Sequence, residues 1–168
     1  QIDNALKNRM LGEAHFLRAH YYFILVRLFG GVPMPTEPLT SESNLKMPRA
    51  SVDEIYSLIT DDLQQAIAML PARSTYGATD IGRASREAAM AELARVYLTY
   101  LPDRARYEEV VRLCQDIGAM GYRLAADYAD NFDPAKQNGV ESIFEVQYYG
   151  KTNNDFWSNE NQCSWIST

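Results

Sequence analysis

The stretch Gly12 to Pro35, GEAHFLRAHYYFILVRLFGGVPMP, constrains the fold of this chain more than any other. Its apolar residues recur at steps of three and four, through Leu6, Met10, Ala14, Leu17, Tyr21, Ile24/Leu25 and Leu28. That spacing is one continuous stripe along an α-helix. Polar residues form no equally clean opposite face, because Arg18 and Arg27 interrupt a surface that is apolar nearly all round. Such a helix is expected to lie centrally and to be covered on more than one side. Gly30-Gly31 can take the left-handed angles that end a helix, and Pro33 cannot continue one. The segment therefore reads as a scaffold helix from about Ile2 to Phe29 with a sharp exit.

Three more helices follow by the same reasoning. Ser51 with Glu54 three residues later is a capping box, and Val52, Ile55, Ile59, Leu63, Ala66/Ile67 and Leu70 make the stripe of a helix that Pro71 ends. A third, from about Ala84 to Leu101, is rich in alanine (Ala88, Ala89, Ala91, Ala94), which permits close approach of a neighbour. A fourth, from about Arg104 to Met120, carries Tyr107, Val110/Val111, Cys114 and Ile117, with Gly121 as its stop. Cys114 is expected on the apolar face as a small buried hydrophobe. Beyond Met120 the period changes. Tyr122 to Leu124 is short and extended, Asp127 to Gly139 is a polar loop around Phe132, and Ser142 to Tyr149 alternates as a strand or extended edge segment does. Lys151 to Thr168 reads as a surface loop.

The expected class is all-α for the most part, with antiparallel helix pairs at about 2–71 and 84–120 and a loop and strand region at 121–168, all in one scaffold unit. Two helix pairs in series suggest a helical repeat. Ala66-Ile67 ahead of Pro71 has the spacing of a tetratricopeptide repeat's closing half, and Leu93 to Tyr97 the large-small-aromatic order of an opening half.

Charge and chemistry narrow the function classes. The 168 residues carry a formal net charge of -6, with scattered basic residues, which argues against a phosphate-backbone partner such as a nucleic acid. The longest apolar run, Tyr21 to Val26, falls far short of the roughly 20 residues a membrane span needs. The start and the end, Gln1-Ile2-Asp3-Asn4 and Cys163 to Thr168, read as internal points of a longer protein. His15 and His20 are five residues apart, so they do not share a helix face as a zinc pair does. Asp61-Asp62 and Glu108-Glu109 read as solvated helix charges, not acid–base pairs. Arg18, inside an apolar helix, needs a partner, and Glu13 or Asp62 can supply it. No catalytic residue, metal site or cofactor motif is found.

The order of segments is more specific than any one of them. GEAHFLRAHYYFILVRLFGGVPM is followed by PRASVDEIYSLITDDLQQAIAMLP, then GRASREAAMAELARVYLTY, YEEVVRLCQDI and ESIFEVQYYG. This succession resembles the SusD/RagB family of outer-membrane nutrient-binding lipoproteins, over nearly the whole chain up to about Gly150. The resemblance implies a tetratricopeptide-like scaffold and a non-catalytic role: capture of an oligosaccharide for a SusC-like TonB-dependent transporter at the surface of a Gram-negative cell. It also implies that membrane attachment comes only through a lipid anchor absent from this chain.

Within that frame one stretch has binding character. Sugars are held by flat aromatic faces and by planar amides and carboxylates that bond to hydroxyl pairs. Asn153, Asn154, Asp155, Trp157 and Asn159 supply both on a segment where such residues concentrate, and the resemblance implies that ligand contacts come from loops after the last extended segment. The competing expectation is packing, with Phe156, Trp157 and Trp165 covered by other parts of the protein. Two other function classes remain to be weighed: a tetratricopeptide-like interaction scaffold without its own ligand site, and a glycoside hydrolase, which no carboxylate spacing supports.

Overall fold

A computed structural model describes residues 3–37, 46–100 and 103–147. Its α-helices are α1 (Asn4–Phe29), α2 (Val52–Met69), α3 (Arg86–Thr99) and α4 (Arg104–Ala119). Short 3₁₀ turns lie at Arg73–Thr75, Ala78–Asp80, Tyr128–Phe132 and Pro134–Lys136. Among the described residues there is no strand; Pro33 and Arg49 form one isolated antiparallel bridge. The segment from Ser142 makes no ladder pairing as far as residue 147 and bends at Ile143. α1 packs on α2, α2 on α3 and α3 on α4, the serial arrangement expected of stacked helix pairs.

Each helix starts and stops where its sequence dictates. Ser51 Oγ accepts the Glu54 amide while the Glu54 carboxylate takes the Ser51 amide, so the capping box of α2 is complete. Ser85 and Asp103 cap α3 and α4 through their side chains. α1 ends at Gly30, whose φ is 68°. Arg49 then crosses back over that end: Nε donates to the Gly31 carbonyl at 2.5 Å and Nη2 to the Phe29 carbonyl at 2.7 Å. Two carbonyls beyond the last helical hydrogen bond are satisfied by one guanidinium. Gly31 lies against this crossing, where a Cβ would stand 2.3 Å from the Ala50 carbonyl oxygen.

The core runs through all four helices, with Val110, Leu113 and Ile117 of α4 closing it against α3. Ile55, Ile59, Leu63, Ala66 and Leu70 of the expected α2 stripe are buried, as are Ala88, Ala89 and Ala94 of α3. α1 departs from expectation. Its buried face is Gly12, Phe16, Ala19, Tyr22, Phe23 and Val26, whereas Leu17, Tyr21 and Leu28 of the predicted stripe are 44%, 62% and 70% exposed. The helix carries two interleaved apolar seams, and the described neighbours take only the one containing Gly12. A Cβ there would stand 2.9 Å from Leu70 Cγ, so the missing side chain is what lets α2 approach. Cys114 is also a correction. It is exposed, and Leu113, one position and about 100° away around the helix, is the buried residue.

Candidate functional site

The residues predicted to touch ligand, Asn153, Asn154, Asp155, Trp157 and Asn159, lie outside the described residues, as does Cys163. The chain leading to them is described up to Gln147, and the way it is held determines what the molecule presents.

Arg73 is the clamp. It stands in the turn after α2, and its guanidinium donates to the carbonyls of Ser142 and of Asn138, the latter at 3.2 Å. Its own amide donates to the Glu87 carboxylate at 3.1 Å. Glu87 is buried at the start of α3, where a negative charge also meets the positive end of the helix dipole. One arginine thus ties the returning segment 138–142 to the α2–α3 connection. Further along, Phe144 meets Phe16 of α1 edge-on, with ring centroids 5.2 Å apart.

Between these parts is a cleft of about 450 Å³, whose walls include Tyr76, Glu87, Tyr122, Asn138 and Phe144. The Tyr122 hydroxyl, in one wall, and Ser142 Oγ, just before the wall residue Ile143, are buried with no hydrogen-bond partner among the described residues. Burial pushes the Tyr122 hydroxyl pKa up. Tyr76 donates to the Ala84 carbonyl at 2.7 Å, and burial, reinforced by the nearby Glu13 charge, pushes its pKa up to about 12. These are neutral hydroxyls at physiological pH, suited to hydrogen bonding. Among the described residues no nucleophile is paired with a base in this cleft.

A second polar cluster belongs to the helices. Asp62 accepts two hydrogen bonds from Arg18 and lies 2.6 Å from His15 Nδ1. Glu92 lies 3.2 Å from His20 Nδ1 and accepts Arg95 Nη1 at 2.7 Å. Asp62 is therefore not the solvated helix charge expected of it: its side chain is 3% exposed. Of the two partners weighed for Arg18, Asp62 is the one used. Asp61 is exposed, and Glu108 and Glu109 pair with Arg104 and Arg112 on the surface. Both histidines are tied to buried carboxylates and act as struts between helices.

One exposed aromatic pair was not singled out by sequence reasoning. Tyr128 and Phe132 stand on one 3₁₀ turn, 76% and 69% exposed, with ring centroids 5.2 Å apart and planes 61° apart. Leu124, 80% exposed, precedes them on the same segment. Two aromatics four residues apart in a polar loop were the available signal.

Comparison with known proteins decides the family. Residues 2–98 match the SusD-like family model described as "Starch-binding associating with outer membrane". The chain belongs to the SusD-like family. SusD-like protein P25 of Formosa agariphila is 31% identical over 140 residues, covering 83% of this chain and 25% of that protein. A SusD-like protein of known structure from Bacteroides fragilis is 37% identical with a TM-score of 0.78, covering 91% of this chain and 30% of its own. A structure described as a laminarin-binding SusD-like protein is 30% identical with a TM-score of 0.75, covering 85% and 31%. The chain thus spans between a quarter and a third of the length of these relatives. SusD-like proteins are carbohydrate-binding and non-catalytic, and the family is associated with the outer membrane. The all-α class expected from the sequence holds.

Proposed function

We propose that this chain is the scaffold portion of a surface protein that captures an oligosaccharide and passes it to a SusC-like TonB-dependent transporter in the outer membrane of a Gram-negative cell. The carrying observation is the match of residues 2–98 to the starch-binding family model, together with 30% identity to a laminarin-binding relative over 85% of the chain. The helix pairs at about 2–71 and 84–120 serve as the rigid frame, and region 121–168 carries ligand contacts. Trp157 stacks on a sugar ring, while Asn153, Asn154, Asp155 and Asn159 bond to ring hydroxyls. No residue is assigned a catalytic, metal-binding or cofactor role.

Calorimetric titration of the intact protein against a glycan panel tests this, with wild type beside Trp157→Ala. Binding that the variant loses, at unchanged circular dichroism, supports both the function and the site. Binding that the variant keeps supports the function and removes Trp157 from it. Binding to no glycan overturns the reading.

A second reading has one observation in its favour. The exposed seam of α1, through Met10, Leu17, Tyr21, Ile24 and Leu28, has the spacing that packs another helix, as a protein-interaction scaffold would use. Substitutions along that seam that abolish transporter association while leaving glycan affinity intact would favour it.

A further inference from the structure

We propose that Arg73 and Asn138 are positioning residues for ligand capture: together they set where the chain leaves the helical frame at Gln147, and so where the sugar-contacting residues that follow are delivered. The inference rests on the capture reading above and deepens it by naming what holds its site in place. Asn153, the first of those contacts, comes a few positions after Gln147.

The return from Asn138 to Gln147 is closed on itself by side chains. The Asn138 backbone amide donates to the Glu145 carboxylate at 3.2 Å. Asn138 Nδ2 donates to Gln147 Oε1 at 3.0 Å, and Gln147 Nε2 donates back to Asn138 Oδ1 at 3.2 Å. Asn138 makes this turn with a φ of 58°, the one non-glycine with a positive φ among the described residues. Asparagine tolerates that left-handed geometry better than most side chains do.

The closed return is then fastened from outside. Arg73 spans it with both ends of its guanidinium, donating to the Ser142 carbonyl and, at 3.2 Å, to the Asn138 carbonyl. A planar fork holds two carbonyls at once in a way that a single ammonium does not reproduce. The Arg123 amide donates to the Val140 carbonyl at 3.2 Å. Phe144 rests against Phe16 of α1. At the far end Gln147 lies over Gly82, where a Cβ would stand 2.3 Å from Gln147 Cγ.

The hydrogen bonds of the return lie outside the packed helix core, so each adds little to the stability of the whole. Opening of such a segment also costs less than global unfolding. Their consequence is shape. Contacts delivered from a fixed anchor need little further ordering when ligand arrives, whereas a released return would have to be ordered at the expense of affinity.

The test is calorimetric titration of the intact protein with laminari-, malto- and cello-oligosaccharides, using wild type, Asn138→Ala, Asn138→Gly, Arg73→Lys and Trp157→Ala. Hydrogen exchange and melting temperature are measured on each. Asn138→Ala loses both the amide pair and the tolerance for the left-handed turn. It is expected to weaken binding of whichever probe wild type takes by about tenfold, the cost of ordering roughly one residue. Asn138→Gly keeps the turn and is expected to lose less. Arg73→Lys keeps the charge but not the fork, and is expected to weaken binding as Asn138→Ala does. In both, faster exchange should be confined to residues 138–147, saturating glycan should restore protection there, and the melting temperature should change little. Wild type that binds while Asn138→Ala and Arg73→Lys bind equally well overturns the positioning role and leaves the capture function standing. Weaker binding with faster exchange throughout α1 to α4 overturns it too, because it shows a general loosening of the fold. Binding that Asn138→Ala weakens and Trp157→Ala leaves intact overturns the delivery of the segment after Gln147. Wild type that binds no probe overturns the inference along with the reading it rests on.

Discussion

Arg18 on α1 grips Asp62 on α2 with two hydrogen bonds, Nε to Oδ2 at 2.6 Å and Nη2 to Oδ1 at 2.7 Å. The two ends of the pair are not equally buried: the Asp62 side chain is 3% exposed and that of Arg18 34%. The hydrogen bond to Asp62 also raises the Arg18 pKa, so the guanidinium stays charged throughout the accessible pH range.

That asymmetry sets the outcome of breaking the pair. Arg18→Met strands a buried carboxylate with only His15 beside it, and is expected to destabilise the protein by about 3 kcal/mol. Asp62→Asn leaves an arginine that can turn to water and a side chain that can still accept a hydrogen bond, so its effect is expected to be less than half as large. Urea denaturation midpoints at constant m report both. If Asp62→Asn proved the more damaging, burial would not be what governs this pair.

A steric prediction concerns the turn after α1. A Cβ on Gly31 would stand 2.3 Å from the Ala50 carbonyl oxygen, which is backbone and cannot swing aside. Gly31→Ala is therefore expected to pull apart the 31–33 and 49–50 crossing and to destabilise by about 2 kcal/mol, in the range found for overpacked sites. Gly77, with φ of -73° and nothing within 4 Å of an added Cβ, is the control. Gly77→Ala should be neutral or slightly stabilising, because it restricts the unfolded chain without strain. Thermal melts of the two variants side by side are the measurement, and equal shifts would refute the steric account.

The helix periods and stops were legible in the sequence wherever a helix has two unlike faces. α2 is the clear case: Ser51 and Glu54 fix its start, Pro71 its end, and Ile55, Ile59 and Leu63 its buried side. α1 was not legible in that way, because the seam through Gly12, Phe16, Ala19, Phe23 and Val26 and the seam through Met10, Leu17, Tyr21, Ile24 and Leu28 are both apolar. What distinguishes them is size. Gly12 and Ala19 are the small residues that allow close helix approach, so the smaller seam faces α2 and α3. The Asp61-Asp62 pair misled for a related reason: adjacent acids look alike in sequence, yet a step of about 100° sends one to water and the other to Arg18. The clamp by Arg73 joins residues 65 and 69 apart in the chain, a pairing that no local pattern encodes. The Tyr128–Phe132 ring pair was visible only as a phenylalanine in a polar loop until the 3₁₀ turn placed both rings together.

The capping box of α2 makes an acid prediction. Hydrogen bonds from the Ser51 side chain and amide hold the Glu54 carboxyl below its ordinary pKa. A carboxyl depressed in the folded state contributes stability that is present above its unfolded pKa and lost as pH falls through the folded one. Ser51→Ala, which removes the N-cap oxygen, is expected to destabilise by about 1 kcal/mol at neutral pH. In Glu54→Gln, the decline of stability on acidification below about pH 4.5 should be shallower than in wild type. Denaturant melts across that range test this, and parallel acid limbs would exclude Glu54 as a contributor.

Tyr76 makes the opposite prediction at the alkaline end. Its hydroxyl donates to the Ala84 carbonyl, and burial, with Glu13 and Asp80 nearby, raises its pKa to about 12 against an ordinary value of 10.0. A raised pKa contributes stability that is complete below the unfolded value and lost as pH climbs through the folded one. Between about pH 10 and pH 12 the unfolded chain ionises this tyrosine while the folded chain does not, so stability should fall across that window. Tyr76→Phe removes the ionisation and should flatten the alkaline limb. It also leaves the Ala84 carbonyl without its donor, which lowers stability at neutral pH by about 1 kcal/mol. The two curves should therefore converge as pH rises. Curves that stay parallel from neutral pH to pH 12 would show that Tyr76 titrates as an ordinary exposed tyrosine.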